Sequence, residues 1–291
     1  MRRAWLMALA CMPFIRSANA ALAPMPGTTM LARLAELEKR SGGRLGVSAW
    51  DTASGRRLQQ RADERFPFCS TFKTMAVAAI LSRTVQDETL LSRRIQYARD
   101  DLVSYSPVTE KHLGEGMTVA ELCAAAIQYS DNAAANLLMR LMGGPQEVTT
   151  FARHIGDQTF QLERWETELN TAVPGDPRDT TTPQAMMESL NKLLLGSVLP
   201  SRQRGLLQGW MLGNTTGGAR IRAGVPAGWK VADKTGSGDN GTVNDIAVAW
   251  PPGRQPVVMV IYLTQSTGSD EQRNSIIASA AQMVAEEFGP A

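Results

Sequence analysis

The sequence predicts a mixed α/β (α+β) protein in which one antiparallel sheet flanked by helices is joined to an all-helical domain. Three observations predict it. Strand-like stretches occur only towards the two ends of the chain, at 44–61 and 228–263. An amphipathic helical pattern lies outside each of them, and the stretch between carries helical spacing or helix caps.

Taken in order, 28–40 places Leu31, Leu34, Ala35 and Leu37 on one helical stripe, and Gly42-Gly43 stops it. Residues 44–50 alternate as a strand, 51–55 form a turn, and 56–61 return as the second strand of a hairpin. Helices are expected over 70–82, 119–128, 132–142, 146–155, 183–195 and 201–212. Strands over 228–233, 243–250 and 256–263 follow, separated by Gly or Pro clusters. The last helix, 270–288, carries Ile276, Ile277, Ala280, Met283 and Val284 on its apolar stripe. The hairpin and the late strands make one sheet covered by the two terminal helices. This assigns 21–61 and 213–291 to a discontinuous sheet domain and 62–212 to the helical one. Segment 163–182 has little periodicity and two prolines, and a loop of that length inside a compact domain is usually functional.

At 291 residues and 43% hydrophobic, the chain has enough apolar surface for a large core, which excludes a disordered or collagen-like protein. Lys+Arg 30 against Asp+Glu 28 gives a formal charge of +2, with no electrostatic footprint for nucleic acid or anionic membrane. The only two histidines, His112 and His154, lie in different segments, and neither C-x-x-C nor H-E-x-x-H occurs, so a catalytic zinc site is not expected. The N-terminus reads as an export signal: Arg2-Arg3, an apolar run to Ile15 too short to span a bilayer permanently, then Ala18-Asn19-Ala20 as the cleavage site. The expected mature protein is exported, periplasmic or secreted, without stable membrane association, and a monomer. Cys69 and Cys123, the pair left after cleavage, are expected as buried thiols rather than a bridge.

Three short motifs carry chemistry. Ser70-Thr71-Phe72-Lys73 sets a hydroxyl and an amine one helical turn apart, at a helix N-terminus that favours developing negative charge. A desolvated lysine can help take the proton that makes serine nucleophilic. The spacing alone is weak, because Ser189-Leu190-Asn191-Lys192 repeats it. Ser130-Asp131-Asn132 opens a helix and by itself reads as a cap. Lys234-Thr235-Gly236 ends a strand, where a plain turn with a solvated lysine is the bland alternative. Gly236, Gly238 and Gly241 spell G-x-G-x-x-G, but strands flank them on both sides, which excludes dinucleotide binding.

Together and in this order, S-x-x-K, S-D-N and K-T-G resemble the penicillin-recognising serine enzymes, over essentially the whole mature chain. The segment from Arg164 to Asn170 looks like the class A β-lactamase pattern E-x-x-L-N. The resemblance implies a β-lactamase/transpeptidase-like fold and a site between sheet and helices, acting on β-lactam antibiotics and binding β-lactam-type inhibitors. It implies Ser70 as nucleophile, with Lys73, or Glu166 through a water, as its base, and no metal or other cofactor. Ser130 would relay a proton to the leaving nitrogen, and Glu166 with Asn170 would hold the deacylating water. It also implies Arg164 and Asp179 as the clasp of the loop, Asn132, Lys234, Thr235, Gly236 and Ser237 as substrate contacts, and Tyr105 as the wall of the entrance. Many relatives carry an arginine where this chain has Val243 and Asn244, so Arg220 is expected to substitute. Neither of two disulfides known in subgroups of the family can form, since Val77 and Gly238 occupy the partner positions. By analogy Ser237 leans towards cephalosporins as well as penicillins.

Overall fold

A computed structural model describes residues 29–289, so the expected export signal lies outside the described residues. Helix α1 (Met30–Ser41) leads into strands β1 (Arg44–Asp51), β2 (Arg57–Gln60) and the two-residue β3 (Phe66–Pro67). A 3₁₀ turn over Cys69–Thr71 opens α2 (Phe72–Arg83). Then come β4 (Arg94–Ile95), β5 (Met117–Thr118), α3 (Val119–Gln128), α4 (Asn132–Met142), α5 (Pro145–His154), β6 (Thr180–Thr181), α6 (Pro183–Leu194) and α7 (Ser201–Leu212). The chain ends with α8 (Ile221–Gly224), β7 (Lys230–Gly238), β8 (Thr242–Trp250), β9 (Val257–Thr264) and α9 (Asp270–Phe288).

The main sheet has the order β2-β1-β9-β8-β7 with every neighbour antiparallel. Strand β9 sits at its centre, and its unbroken apolar run is buried throughout because both faces are covered. On one face Leu45, Val47, Ala49 and Ile261 pack against α1 and α9 through Leu34, Leu37, Ile277 and Val284. On the other, Val248, Val258, Val260 and Tyr262 join the core of the helical segment, built around α2. The fold is thus the expected mixture of helices and one antiparallel sheet.

Three differences from the sequence reading have physical causes. Leu31 is exposed and the fully buried apolar residues of α1 are Leu34 and Leu37, a narrower stripe than the apolar residues offered. The segment read as all-helical also holds two short ladders, β3 with β6 and β4 with β5, each too short for any period-two pattern. Strand β7 runs on to Gly238, where turn chemistry ended it at Asp233, because Lys234 to Gly238 keep pairing with β8 as far as Thr242. Cys69 and Cys123 are free and buried.

Candidate active site

Ser70 stands in the 3₁₀ turn that opens α2, and Lys73 lies one turn on in a helix buried from Phe72 to Leu81. The residue before Ser70, Cys69, has a left-handed φ of 47°, a strained conformation for a non-glycine that costs about 1–3 kcal/mol. Strand β7, the open edge of the sheet, comes up against this turn. A Cβ on Gly236 would lie 2.8 Å from the Phe68 carbonyl oxygen and 3.2 Å from the Ser70 nitrogen, so only glycine lets the two backbones meet this closely.

The S-D-N triplet divides its labour. Asp131 is a true N-cap: its carboxylate accepts from Ala134 N at 2.8 Å, and from Val108 N and Thr109 N at 2.9 Å each. Held by that cap, its two neighbours turn inward. Lys73 Nζ donates to the Ser130 carbonyl at 2.8 Å and to Asn132 Oδ1 at 2.6 Å, and lies 3.5 Å from Ser130 Oγ. Lys234 Nζ reaches Ser130 Oγ from the other side at 3.0 Å. Asn132 Nδ2 is pinned to the Ser104 carbonyl at 2.8 Å.

Glu166 completes the cluster. Its Oε1 is 2.9 Å from Lys73 Nζ and accepts from Ser70 Oγ at 3.3 Å, while Oε2 accepts from Asn170 Nδ2 at 2.5 Å. Lys73 and Lys234 are both 0% exposed. Burial pushes the Lys73 amine down, opposed by the Glu166 carboxylate, and pushes Lys234 well down, reinforced by the nearby Lys73 charge. The loop that carries Glu166 is closed at its ends. Arg164 Nε pairs with the fully buried Asp179, whose other oxygen accepts from Glu163 N at 2.8 Å and Arg164 N at 3.1 Å.

Arg220 enters from the segment before α8, and its hydrogen bonds go to neutral acceptors. Nη2 donates to Ser237 Oγ at 2.7 Å, Nη1 to the carbonyls of Gly236 and Asn244 at 2.8 Å each, and Nε to Asn274 Oδ1 at 2.8 Å. Its charge therefore stands at the Ser237 end of β7. Thr235 Oγ1 lies 2.5 Å from Thr216 Oγ1. Tyr105 stands apart from this network: the residue is 58% exposed, and it joins the site through its carbonyl, which accepts from Asn132 N at 3.0 Å.

Several residues in or around the cluster escaped the sequence reading. Asn136, on α4 one turn beyond Asn132, brackets the Glu166 backbone, donating to its carbonyl at 2.9 Å and accepting from its N–H at 3.0 Å. A lone asparagine among alanines and leucines was the available signal. Asn244 donates to the carbonyls of Pro67 and Phe68 at 2.8 and 3.1 Å, fastening the turn before Ser70. The second S-x-x-K pair lies elsewhere: Ser189 donates to Asp157 at 2.8 Å, and Lys192 to the Ile155 carbonyl at 2.8 Å.

A family profile described as the β-lactamase enzyme family matches residues 30–288. The chain belongs to the class A β-lactamase family. It is 51% identical to β-lactamase OXY-1 of Klebsiella oxytoca, over 98% of this chain and 97% of that one. It is likewise 51% identical to β-lactamase Toho-1 of Escherichia coli, over 99% and 98%. Among solved structures, the class A β-lactamase of the last common ancestor of Gram-negative bacteria superposes with a TM-score of 0.88 at 58% identity, covering 90% of this chain and all of that one.

Proposed function

We propose that this enzyme opens the β-lactam ring of penicillins and cephalosporins through an acyl-enzyme on Ser70, and so confers β-lactam resistance. The observation that carries the reading is Glu166 Oε1, which meets both Ser70 Oγ and Lys73 Nζ while Asn170 holds the opposite oxygen. A carboxylate so held serves a second, hydrolytic half-reaction that an acyl-enzyme trap lacks.

Ser70 Oγ attacks the lactam carbonyl as its proton passes to Lys73 or, through a water, to Glu166. The downward shift of Lys73 favours its neutral form, the form that can take the Ser70 proton. The oxyanion is stabilised by the N–H groups of Ser70 and Ser237, a contribution of several kcal/mol in such sites. The close approach at Gly236 supports that pairing. Ser130, receiving hydrogen bonds from both lysines, keeps its own hydrogen for the leaving ring nitrogen. The C–N bond breaks, and the ring nitrogen leaves protonated. The proton first taken from Ser70 passes back to Ser130. Glu166 then takes a proton from water as the water attacks the ester, and that proton goes to Ser70 Oγ as the ester C–O bond breaks. Asn170 Oδ1, buried with no hydrogen-bond partner among the described residues, is the matching acceptor for that water. Lys234, Thr235, Ser237 and Arg220 form the cationic and hydroxyl-lined edge for the substrate carboxylate, Asn132 positions the acyl side, and Tyr105 borders the mouth. The reading includes export of a monomer after cleavage near Ala20 and the division into sheet and helical domains. Among the described residues no helix is long and apolar enough to cross a membrane.

The test is an intact-mass time course with benzylpenicillin while free drug is followed. Wild type should consume drug with only a fleeting adduct, Glu166→Ala should accumulate the adduct, and Ser70→Ala should show neither. Normal turnover by Ser70→Ala, or a persistent adduct on the wild type, would refute the mechanism.

A further inference from the structure

Building on that reading, the geometry points to Thr216 as a positioning residue that sets the hydroxyl direction of Thr235, so that carboxylate binding must break one link of a hydrogen-bond chain running from Asp233. Asn214 Nδ2 donates to Asp233 Oδ2 at 2.6 Å, and Asn214 Oδ1 accepts from Thr216 N at 3.1 Å. These two contacts fix the amide independently, because a backbone N–H cannot face an NH₂ group and a carboxylate cannot face a carbonyl oxygen. Asp233 is itself fixed by Arg222 Nε, 2.6 Å from Oδ1. A Cβ on Gly217 would sit 1.9 Å from Asp233 Oδ2, so glycine there makes room for the carboxylate.

Proton counting does the rest. Thr216 Oγ1 lies 2.8 Å from Asn214 Oδ1, which can only accept, so the single hydroxyl hydrogen of Thr216 is spent on Asn214. The 2.5 Å contact between Thr216 and Thr235 is therefore made with the hydrogen of Thr235. At rest Thr235 turns its hydrogen away from the edge of β7 where a substrate carboxylate needs a donor. On binding, either the Thr235–Thr216 bond is given up, or Thr216 swings to Thr235 and gives up Asn214. One hydrogen bond is lost on either route.

Thr216→Val keeps the shape and deletes the chain's last link, leaving Thr235 free to donate. With benzylpenicillin, its KM should fall about three- to tenfold, the worth of one neutral hydrogen bond, with kcat within about twofold of wild type. Thr216→Ser should match wild type, and Thr216→Val should have no effect in a Thr235→Val background. An unchanged or raised KM in Thr216→Val, or the same fall in the Thr235→Val background, overturns the inference while leaving β-lactam hydrolysis standing. Neutron diffraction from deuterated wild-type crystals reads the chain without activity: deuterium of Thr235 on the line between the two hydroxyls supports it, and deuterium of Thr216 there overturns it.

Discussion

Replacing Asn136 by alanine removes one side chain and strands two backbone groups. Among the described residues, the N–H and C=O of Glu166 have their only protein partners in the Asn136 amide, at 3.0 and 2.9 Å, and both residues are buried. Leaving a buried polar group unpaired costs about 1–3 kcal/mol, so the pair amounts to roughly 2–6 kcal/mol. That is a large share of the about 5–15 kcal/mol that holds a typical domain folded. At about 2–4 °C per kcal/mol for a chain of this size, melting should fall by roughly 5–20 °C. If the loop opens to rehydrate those groups instead, the loss moves to Glu166, and the acyl-enzyme should persist in an intact-mass time course. Asn136→Asp should do no better than alanine, because a carboxylate accepts from the N–H but faces the Glu166 carbonyl with a second acceptor. Melting by differential scanning calorimetry and deacylation by mass spectrometry check both routes. An Asn136→Ala protein with wild-type melting and wild-type turnover would refute the reasoning.

Other perturbations follow from the same geometry. Gly238→Ala would set a Cβ 2.5 Å from the Asn170 carbonyl oxygen and 2.7 Å from Cys69 Sγ. Prying the loop from β7 should cost about 1–3 kcal/mol in urea unfolding, and an unchanged midpoint would contradict it. Glu166→Gln removes the carboxylate that opposes the downward shift of Lys73. If Lys73 is the base, acylation rises with pH as Lys73 loses its proton. That rise should move to lower pH in Glu166→Gln, measured by stopped flow; a rise at unchanged or higher pH counts against Lys73. Burial pushes the thiols of Cys69 and Cys123 up, so iodoacetamide should label them only after unfolding, and rapid labelling of native protein would show the core more open than described.

Much of this arrangement was legible because its determinants are local. Capping at Asp131, the apolar runs of β8 and β9, and the S-x-x-K spacing are short-range patterns. The rest was hidden for identifiable reasons. Ser189 and Lys192 share the spacing of Ser70 and Lys73, yet one meets Asp157 and the other a helix-end carbonyl, so spacing specifies proximity and the surroundings specify chemistry. Asn136, Asn214 and Thr216 act only through partners far away in the chain or the fold, and no local pattern separates them from solvated polar residues. The left-handed backbone at Cys69, Ser130 and Asp179 was invisible too, because tertiary contacts impose on these residues what sequence would assign to glycine.

The central position of β9 has a consequence for how the molecule comes into being. Its partners are β1, from the opposite end of the chain, and β8. Joining 44–51 to 257–264 closes a loop of most of the polypeptide, the kind of long-range pairing that slows folding. A growing chain can form α2 and α4 early, but it cannot assemble the sheet whose edge carries Lys234 until residue 264 has been made. Ser70 therefore waits for its counterpart strand, and chains truncated before β9 should carry every signature motif without a working site.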